Sequence, residues 1–281
     1  MSVAIIADSS SDIPKDICEK YSIAVVPLYI IFGNETYRDD GKQLTSKMFY
    51  DKIRKSPVMP TTSQPTPGDF LEIYKELLKT YDSIINILIS KKMSGTIASA
   101  ELAKKELPDA DITIIDSEKV HIPCGFIVIK AAEMAAMGAS KEEILRKVEE
   151  MKEKITVLFI PSTLEYLKKG GRIGRAKALL ASLLELKPIL TLHDGEVSPY
   201  KNTRRWEQGK QEIINLMESM IKNTENLHVF VSDSDMKTEG DDFASKIKNK
   251  FNPKELLRGE IGTIVGSHLG PGALASTFYE D

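Results

Sequence analysis

Hydrophobic positions in the first half of the chain follow two alternating patterns. Short, nearly unbroken apolar runs predict buried strands, and longer amphipathic stretches predict helices. The strand-like runs are VAIIADSS, IAVVPLYIIFG, SIINILIS and ADITIIDS. The helix-like stretches include TSKMFYDKIRKS, TPGDFLEIYKELLKTY, IASAELAKKEL and SKEEILRKVEEMKEKI. Buried strands that alternate with helices are typical of a mostly parallel sheet covered on both faces, so we expect an α/β domain of this kind.

The second half has a different pattern, which predicts a mixed α/β domain. ITVLFIPS, LHVFVSDS and ALASTFYE are strand-like, and ELLRGEIGTIVGSHLG is interpreted as strands that end near His268. A hairpin turn is expected at Asp194-Gly195. TLEYLKKGGRIGRAKALLASLLE is helical around a Gly-Gly break, and helices are expected around WEQGKQEIINLMESMIKN and GDDFASKIKNKF. We place the domain boundary near residue 155, which gives domains of residues 1–155 and 156–281.

Two helix starts carry capping signals. Thr66 is an expected N-cap, with Pro67 at the first helical position and Asp69 in the first turn. Ser140 and Glu143 have the spacing of a capping box.

Composition and charge narrow the class of protein. The 281 residues are 42% hydrophobic and 28% charged, with a net charge of −3, which is ordinary for a soluble globular protein and argues against nucleic-acid binding. No apolar run approaches the roughly 18 residues needed to span a bilayer, so no stable membrane insertion is expected. Cys18 and Cys124 are far apart, and the N-terminus lacks the basic region of a signal peptide. We therefore expect reduced thiols and a cytoplasmic protein.

Common catalytic and metal-binding motifs are absent from the sequence. There is no P-loop, no dinucleotide-binding fingerprint and no H-E-x-x-H. In GSHLG (Gly266–Gly270) the serine is second of five rather than third, which does not fit a nucleophile elbow. No metal, no cofactor and no catalytic residue are predicted.

Four segments instead place hydroxyl, glycine and cationic residues at predicted element ends. They are PTTSQPTPGDF with Thr61 and Thr62, KKMSGT with Ser94 and Gly95, KKGGRIGR with Arg172, and GSHLGPGA with His268. Each has a plain alternative: hydroxyl caps for the first two, a solvated basic turn for the third and a structural histidine for the fourth. Together they suit a small anionic group, either a carboxylate or a phosphate, held by hydroxyls, one Arg, one His and the amides of a helix N-terminus.

These segments, in order, resemble the DegV family. The resemblance rests on TTSQPTPGDF, KKMSGTIASA, LEYLKKGGRIG, KPIL…DGEV and IGTIVGSHLGPGA, with IIADSSSDIP at the start. It implies a two-domain α/β protein that binds a long-chain fatty acid between its domains and presents the acyl carboxylate to a separate fatty acid kinase. It further implies that Thr62 and Ser94 contact the carboxylate and that His268 joins the same hydrogen-bond network. Thr61 and Arg172 belong to the same matching motifs, and the resemblance implies that they lie near the carboxylate.

The acyl tail would need an apolar tunnel. Candidate linings are VVPLYIIF, VLFI and the helical ALLASLLEL, although plain core packing is the simpler explanation for most of these residues. Two other functions remain open at this stage. One is an enzyme acting on a small phosphorylated or carboxylated metabolite, with His268 as acid/base and Arg172 as anion clamp. The other is a regulatory or scaffold protein whose lipid is structural.

Overall fold

The computed structural model describes residues 2–182 and 186–281. The chain divides into two compact units, Met1–Leu44 with Thr62–Glu153 and Thr45–Thr61 with Lys154–Asp281. The strands are β1 (Val3–Asp8), β2 (Ala24–Val26), β3 (Tyr29–Phe32), β4 (Glu35–Arg38), β5 (Thr61–Ser63), β6 (Ser83–Leu88), β7 (Ile112–Asp116), β8 (Thr156–Ile160), β9 (Lys187–His193), β10 (Glu196–Thr203), β11 (Leu227–Asp233), β12 (Glu255–Glu260) and β13 (Leu274–Glu280). The helices are α1 (Lys15–Lys20), α2 (Ser46–Lys55), α3 (Pro67–Leu77), α4 (Thr96–Lys105), α5 (Ile122–Ala136), α6 (Lys141–Lys154), α7 (Glu165–Lys169), α8 (Trp206–Met220), α9 (Lys237–Phe251) and α10 (Thr263–Leu269), with 3-10 helices at Ser9–Ser11, Gly174–Ser182 and Thr224–Asn226.

The first unit is built on a parallel four-stranded sheet in the order β2-β1-β6-β7. Every residue of β1 and β6 is buried, which explains why their sequences are nearly continuous apolar runs. Side chains of α3 and α4 pack in one core cluster with Ala4, Ile6 and Ile84, and α5 packs against β1 and β6. A smaller sheet has the order β4-β3-β5. The predicted parallel α/β architecture is confirmed.

The second unit contains a mixed six-stranded sheet in the order β10-β9-β8-β13-β11-β12. Only β11 and β12 run parallel among its described pairs, and β13 lies antiparallel between β8 and β11. The hairpin turn at Asp194-Gly195 is confirmed, with φ of 49° and 74° at its two residues. Helices α8 and α9 cover one face of the sheet and share a core with Leu158, Ile160 and Phe278.

The predicted helix starts have the expected caps. Thr66 Oγ1 accepts from Asp69 N at 3.2 Å, and the Asp69 carboxylate accepts from Thr66 N at 2.8 Å. Ser140 and Glu143 make the equivalent pair of bonds, at 2.8 and 3.3 Å. Cys18 and Cys124 are free thiols, as expected.

The structure differs from the sequence prediction in four places. The run IAVVPLYIIFG forms two strands, β2 and β3, which belong to different sheets. His268 does not end a strand, because residues 263–269 form helix α10. Residues 45–61 group with the second unit rather than with the rest of 1–155, and Tyr50 of α2 donates its hydroxyl to Ile261 O at 2.6 Å. The predicted helix over ALLASLLEL is a 3-10 helix as far as Ser182, and residues 183–185 lie outside the described part of the chain.

Candidate functional site

Ser94 and Gly95 lie in the connection between β6 and α4. The chain turns after β6, where Ser90 O accepts from Met93 N at 2.9 Å and from Ser94 N at 3.1 Å. Helix α4 then begins with Gly95 as its N-cap, a residue without a side chain to accept from the first turn. The first turn carries no acidic residue. The positive end of the α4 dipole is therefore not neutralised by a carboxylate of its own first turn.

Ser94 takes over part of the capping role at the start of α4. Its Oγ accepts from Thr96 N at 3.3 Å and lies 2.8 Å from Thr96 Oγ1. When the buried Thr96 hydroxyl donates across that contact, the Ser94 O–H is available to an external acceptor. Ser94 is half-buried, so an anion beside it would meet a hydroxyl donor and the N-terminus of a helix together.

Thr61 and Thr62 lie on β5, close to the chain position at which the two units divide. Thr61 is exposed and groups with the second unit, and Thr62 is half-buried and groups with the first. After β5, the Gln64 side chain lies against the backbone of Gly95. The first unit thus holds Thr62, Ser94 and Gly95.

Asp8 fixes the sheet edge from which the Ser94 connection starts. It ends β1, is fully buried, and accepts from Ile89 N at 2.7 Å and from Ser10 N at 3.0 Å. Burial raises the pKa of this carboxyl to about 6 despite those donors. Because Ile89 directly precedes Ser90, the Asp8 carboxylate anchors the beginning of the turn that presents Ser94.

The second unit brings His268 and Arg172 together. His268 lies in the last turn of α10, and a Cβ added at Gly170 would overlap its ring. Arg172 turns back on the end of α7 and donates from Nη1 to Gly170 O at 2.7 Å. Burial, and secondarily the positive charge of Arg172, lowers the pKa of His268 to about 4. His268 is therefore a neutral imidazole at physiological pH, suited to hydrogen bonding rather than to ion pairing.

The sequence analysis named Thr61, Thr62, Ser94, Gly95, Arg172 and His268 but gave no role to Gln64, Gly170 or Asp8. Gly170 was interpreted only as a helix breaker, whereas its backbone supports both His268 and Arg172. Gln64 is the residue two beyond Thr62 and carries no local signal for the contact with Gly95. Asp8 follows an apolar strand, and a buried carboxylate at a strand end is the signal that could have identified it.

Other kinds of site are not found in the described residues. Within residues 2–182 and 186–281, no group of three or more His, Cys, Asp and Glu side chains could hold a metal ion. Nor does any helix in these ranges have the length and apolar character needed to cross a bilayer.

A parallel α/β unit followed by a mixed α/β unit, each with neutral or cationic donors at element ends, defines a two-unit α/β protein with groups suited to an anion. A protein-family model described as "Uncharacterised protein, DegV family" matches residues 2–281 of the sequence. The chain therefore belongs to the DegV family, and the resemblance noted in the sequence is confirmed.

Relatives cover nearly the whole chain. Protein DegV of Bacillus subtilis is 34% identical over 275 residues, which are 98% of each chain. A solved structure described as fatty acid binding of a DegV family protein from Thermus thermophilus has a TM-score of 0.94 at 33% identity, with 100% of both chains covered. The crystal structure of DegV from B. subtilis, described as a fatty acid binding protein, has a TM-score of 0.93 at 33% identity, also with full coverage of both.

Proposed function

We propose that this protein binds a long-chain fatty acid and has no reaction of its own. The carboxylate is held by the hydroxyls of Thr62 and Ser94 and by backbone amides near Gly95. His268 belongs to the same hydrogen-bond network, with Thr61 and Arg172 as further contacts. The observation that carries the proposal is the Ser94 hydroxyl at an N-terminus of α4 that lacks an acidic residue, in a chain whose family relatives from T. thermophilus and B. subtilis are fatty acid binders.

Neutral donors are suited to this ligand. A carboxylate buried without donors would take up a proton or be excluded. Hydroxyl and amide groups give it charge-assisted hydrogen bonds without burying a second full charge. A neutral His268 can likewise donate or accept a hydrogen bond without adding a buried charge. Such a site holds the head group in one orientation and leaves the carboxylate chemically unchanged.

The acyl tail supplies most of the affinity. At roughly 0.8 kcal/mol for each buried methylene, a tail of about fifteen methylenes gains on the order of 12 kcal/mol before entropic costs. Of the candidate lining VLFI, Leu158 and Ile160 belong to the core shared with α8 and α9. Val157 and Phe159 alternate with them on β8 and so lie on the opposite face of the sheet. We therefore retain Val157 and Phe159 as candidates for the tail.

The finer part of the proposal is presentation of the acyl group to a separate fatty acid kinase. The kinase would transfer the γ-phosphoryl group of ATP to a carboxylate oxygen, giving an acyl phosphate and ADP. Support comes from the family resemblance and from a set of head-group contacts that contains no strong nucleophile. The purified protein loaded with oleate, mixed with a DegV-system kinase subunit and ATP, should yield a hydroxamate when hydroxylamine is added. Without a hydroxamate the delivery role fails, although fatty acid binding would stand.

Fatty acid binding is tested by extraction and by substitution of Ser94. Organic extraction of the purified protein followed by mass spectrometry should recover near-stoichiometric fatty acid. Ser94→Ala should weaken oleate binding by roughly ten- to a hundredfold, the loss expected for one hydrogen bond to a charged group. Ser245→Ala is the matched control, because Ser245 is an exposed helical serine whose Oγ donates to the Asp241 carbonyl four residues earlier.

Two results would contradict the proposal. One is the absence of lipid in the extract together with no uptake of added oleate or palmitate. The other is turnover of a small phosphorylated or carboxylated metabolite by the protein alone, abolished by His268→Gln, which would favour the enzymatic alternative.

A further inference from the structure

Gln64 makes two contacts with the start of helix α4. Its carboxamide lies over Gly95, where an added Cβ would overlap Oε1 and would lie 2.7 Å from both Cδ and Nε2. Its Nε2 donates to Ser99 Oγ at 3.3 Å. Gly95 and Ser99 are four residues apart, so both lie on the same side of the helix. The Gln64 side chain therefore spans the first turn of α4 on one face.

These contacts connect the two segments that carry the hydroxyls of the first unit. Gln64 lies two residues after Thr62 along the chain. Gly95 directly follows Ser94, and Ser99 is buried, with 3% of its surface exposed. On the other side of Gln64, the capping box of Thr66 and Asp69 fixes the start of α3. The backbone on both sides of Gln64 is thus held, and its side chain joins it to the N-terminus of α4.

We infer that Gln64 is a positioning residue for the anion site: its carboxamide, seated on Gly95 and bonded to Ser99, fixes the N-terminus of α4 and the Ser94 hydroxyl relative to Thr62. This inference rests on the proposed fatty acid function and assigns to Gln64 and Gly95 a role that acts through Ser94. The φ of −79° at Gly95 is accessible to any residue, so what glycine contributes at position 95 is the missing Cβ, which leaves room for the Gln64 carboxamide.

The variants to measure are Gln64→Ala, Gly95→Ala and the double variant, each with palmitate and with methyl palmitate. A head-group role predicts that Gln64→Ala loses about three- to tenfold in affinity for palmitate, the range for one hydrogen bond. Affinity for the uncharged ester should stay within about twofold of wild type, because the tail contacts are unchanged. Gly95→Ala should lose at least as much for palmitate. The double variant should resemble Gln64→Ala, since both changes break the same contact and their effects are then non-additive.

Two matched controls separate this role from general damage. Gln211→Ala removes another exposed glutamine, whose Nε2 donates to Asn215 Oδ1 at 3.1 Å. Gly68→Ala adds a Cβ that meets only Thr66 Oγ1, at 3.6 Å. Both controls should bind palmitate as the wild type does, and circular dichroism checks the fold of every variant.

The outcomes distinguish this inference from the proposed function. If the wild type binds palmitate and Gln64→Ala binds it equally well, Gln64 has no positioning role, and the fatty acid function is unaffected. Equal losses for the acid and the ester would assign Gln64 to general stability and overturn the inference. A wild type that binds neither ligand would instead overturn the proposed function.

Discussion

His268→Gln should flatten part of the dependence of stability on pH. In the folded protein, burial and the charge of Arg172 lower the pKa of His268 from its ordinary 6.5 to about 4. The unfolded chain therefore binds a proton at this residue between pH 6.5 and about 4, whereas the folded protein does not. By linkage, the free energy of unfolding falls as the pH is lowered through this window. Glutamine keeps a polar side chain at position 268 but cannot titrate.

The size of the effect follows from the same two values. At roughly 1.4 kcal/mol for each pKa unit, the difference between 6.5 and about 4 corresponds to about 3 kcal/mol. Between pH 7.5 and pH 4.5, about 2.5 kcal/mol of this should appear, because pH 4.5 lies just above the folded-state pKa. This is a large part of the 5 to 15 kcal/mol that is typical of a folded protein.

The assay is urea denaturation of wild type and His268→Gln at pH 7.5, 6.0 and 4.5, with stability extrapolated to zero urea. Other groups titrate in both proteins, so the informative quantity is the difference between the variant and the wild type at each pH. Relative to wild type, the variant should gain about 2.5 kcal/mol between pH 7.5 and pH 4.5. If the difference is the same at all three pH values, His268 does not titrate with a lowered pKa, and its interpretation as a buried neutral imidazole is wrong.

Three further predictions concern the supports of the two clusters. Gly170→Ala should cost about 1 to 3 kcal/mol of stability and weaken oleate binding, because the added Cβ would overlap His268 Nδ1 and lie 3.1 Å from His268 Cε1. If Gly170→Ala has the same stability to denaturation and the same oleate affinity as Gly68→Ala, this prediction is wrong. The pKa of Asp8 is raised to about 6, so the contribution of Asp8 to stability declines as the pH rises from about 4 to 6. Asp8→Asn should remove this pH dependence, which is opposite in sign to that of His268. An unchanged profile of stability against pH would show that Asp8 does not titrate in this range. Thr66→Ala should lower stability by about 1 kcal/mol through loss of the cap on α3, and an unchanged midpoint of thermal unfolding would show that the cap contributes nothing.

Local sequence patterns were sufficient for most of the fold. The runs VAIIAD and SIINIL form strands in which every residue is buried. An apolar run of that length between helices is compatible with few structures other than a buried strand. The caps at Thr66 and Ser140 and the turn at Asp194-Gly195 were also predicted, because each depends on neighbours within four residues. Such features need no knowledge of the rest of the chain.

Long-range packing decided what the sequence could not show. Residues 45–61 group with the second unit, and the bond from Tyr50 to the Ile261 carbonyl joins positions 211 residues apart. Residues 263–269 begin with three β-branched residues followed by a glycine, which favour a strand or a turn on propensity. They form a helix because tertiary context overrides weak local preferences. No local pattern distinguishes these outcomes.

The absence of long-range contacts from sequence patterns also explains how Gly95 and Gly170 were interpreted. The sequence suggested that Gly95 exposes backbone amides and that Gly170 breaks a helix, and both ideas concern the backbone alone. In the structure φ is −79° at Gly95 and −73° at Gly170, values that any residue adopts without strain. The Cβ of a larger residue would instead meet a polar side chain from elsewhere in the same unit, Gln64 over Gly95 and His268 against Gly170. The absence of one methyl group at each position therefore determines where a polar side chain lies. We expect alanine at either position to perturb the binding of a carboxylate more than the backbone conformation, because the new methyl group displaces that polar side chain.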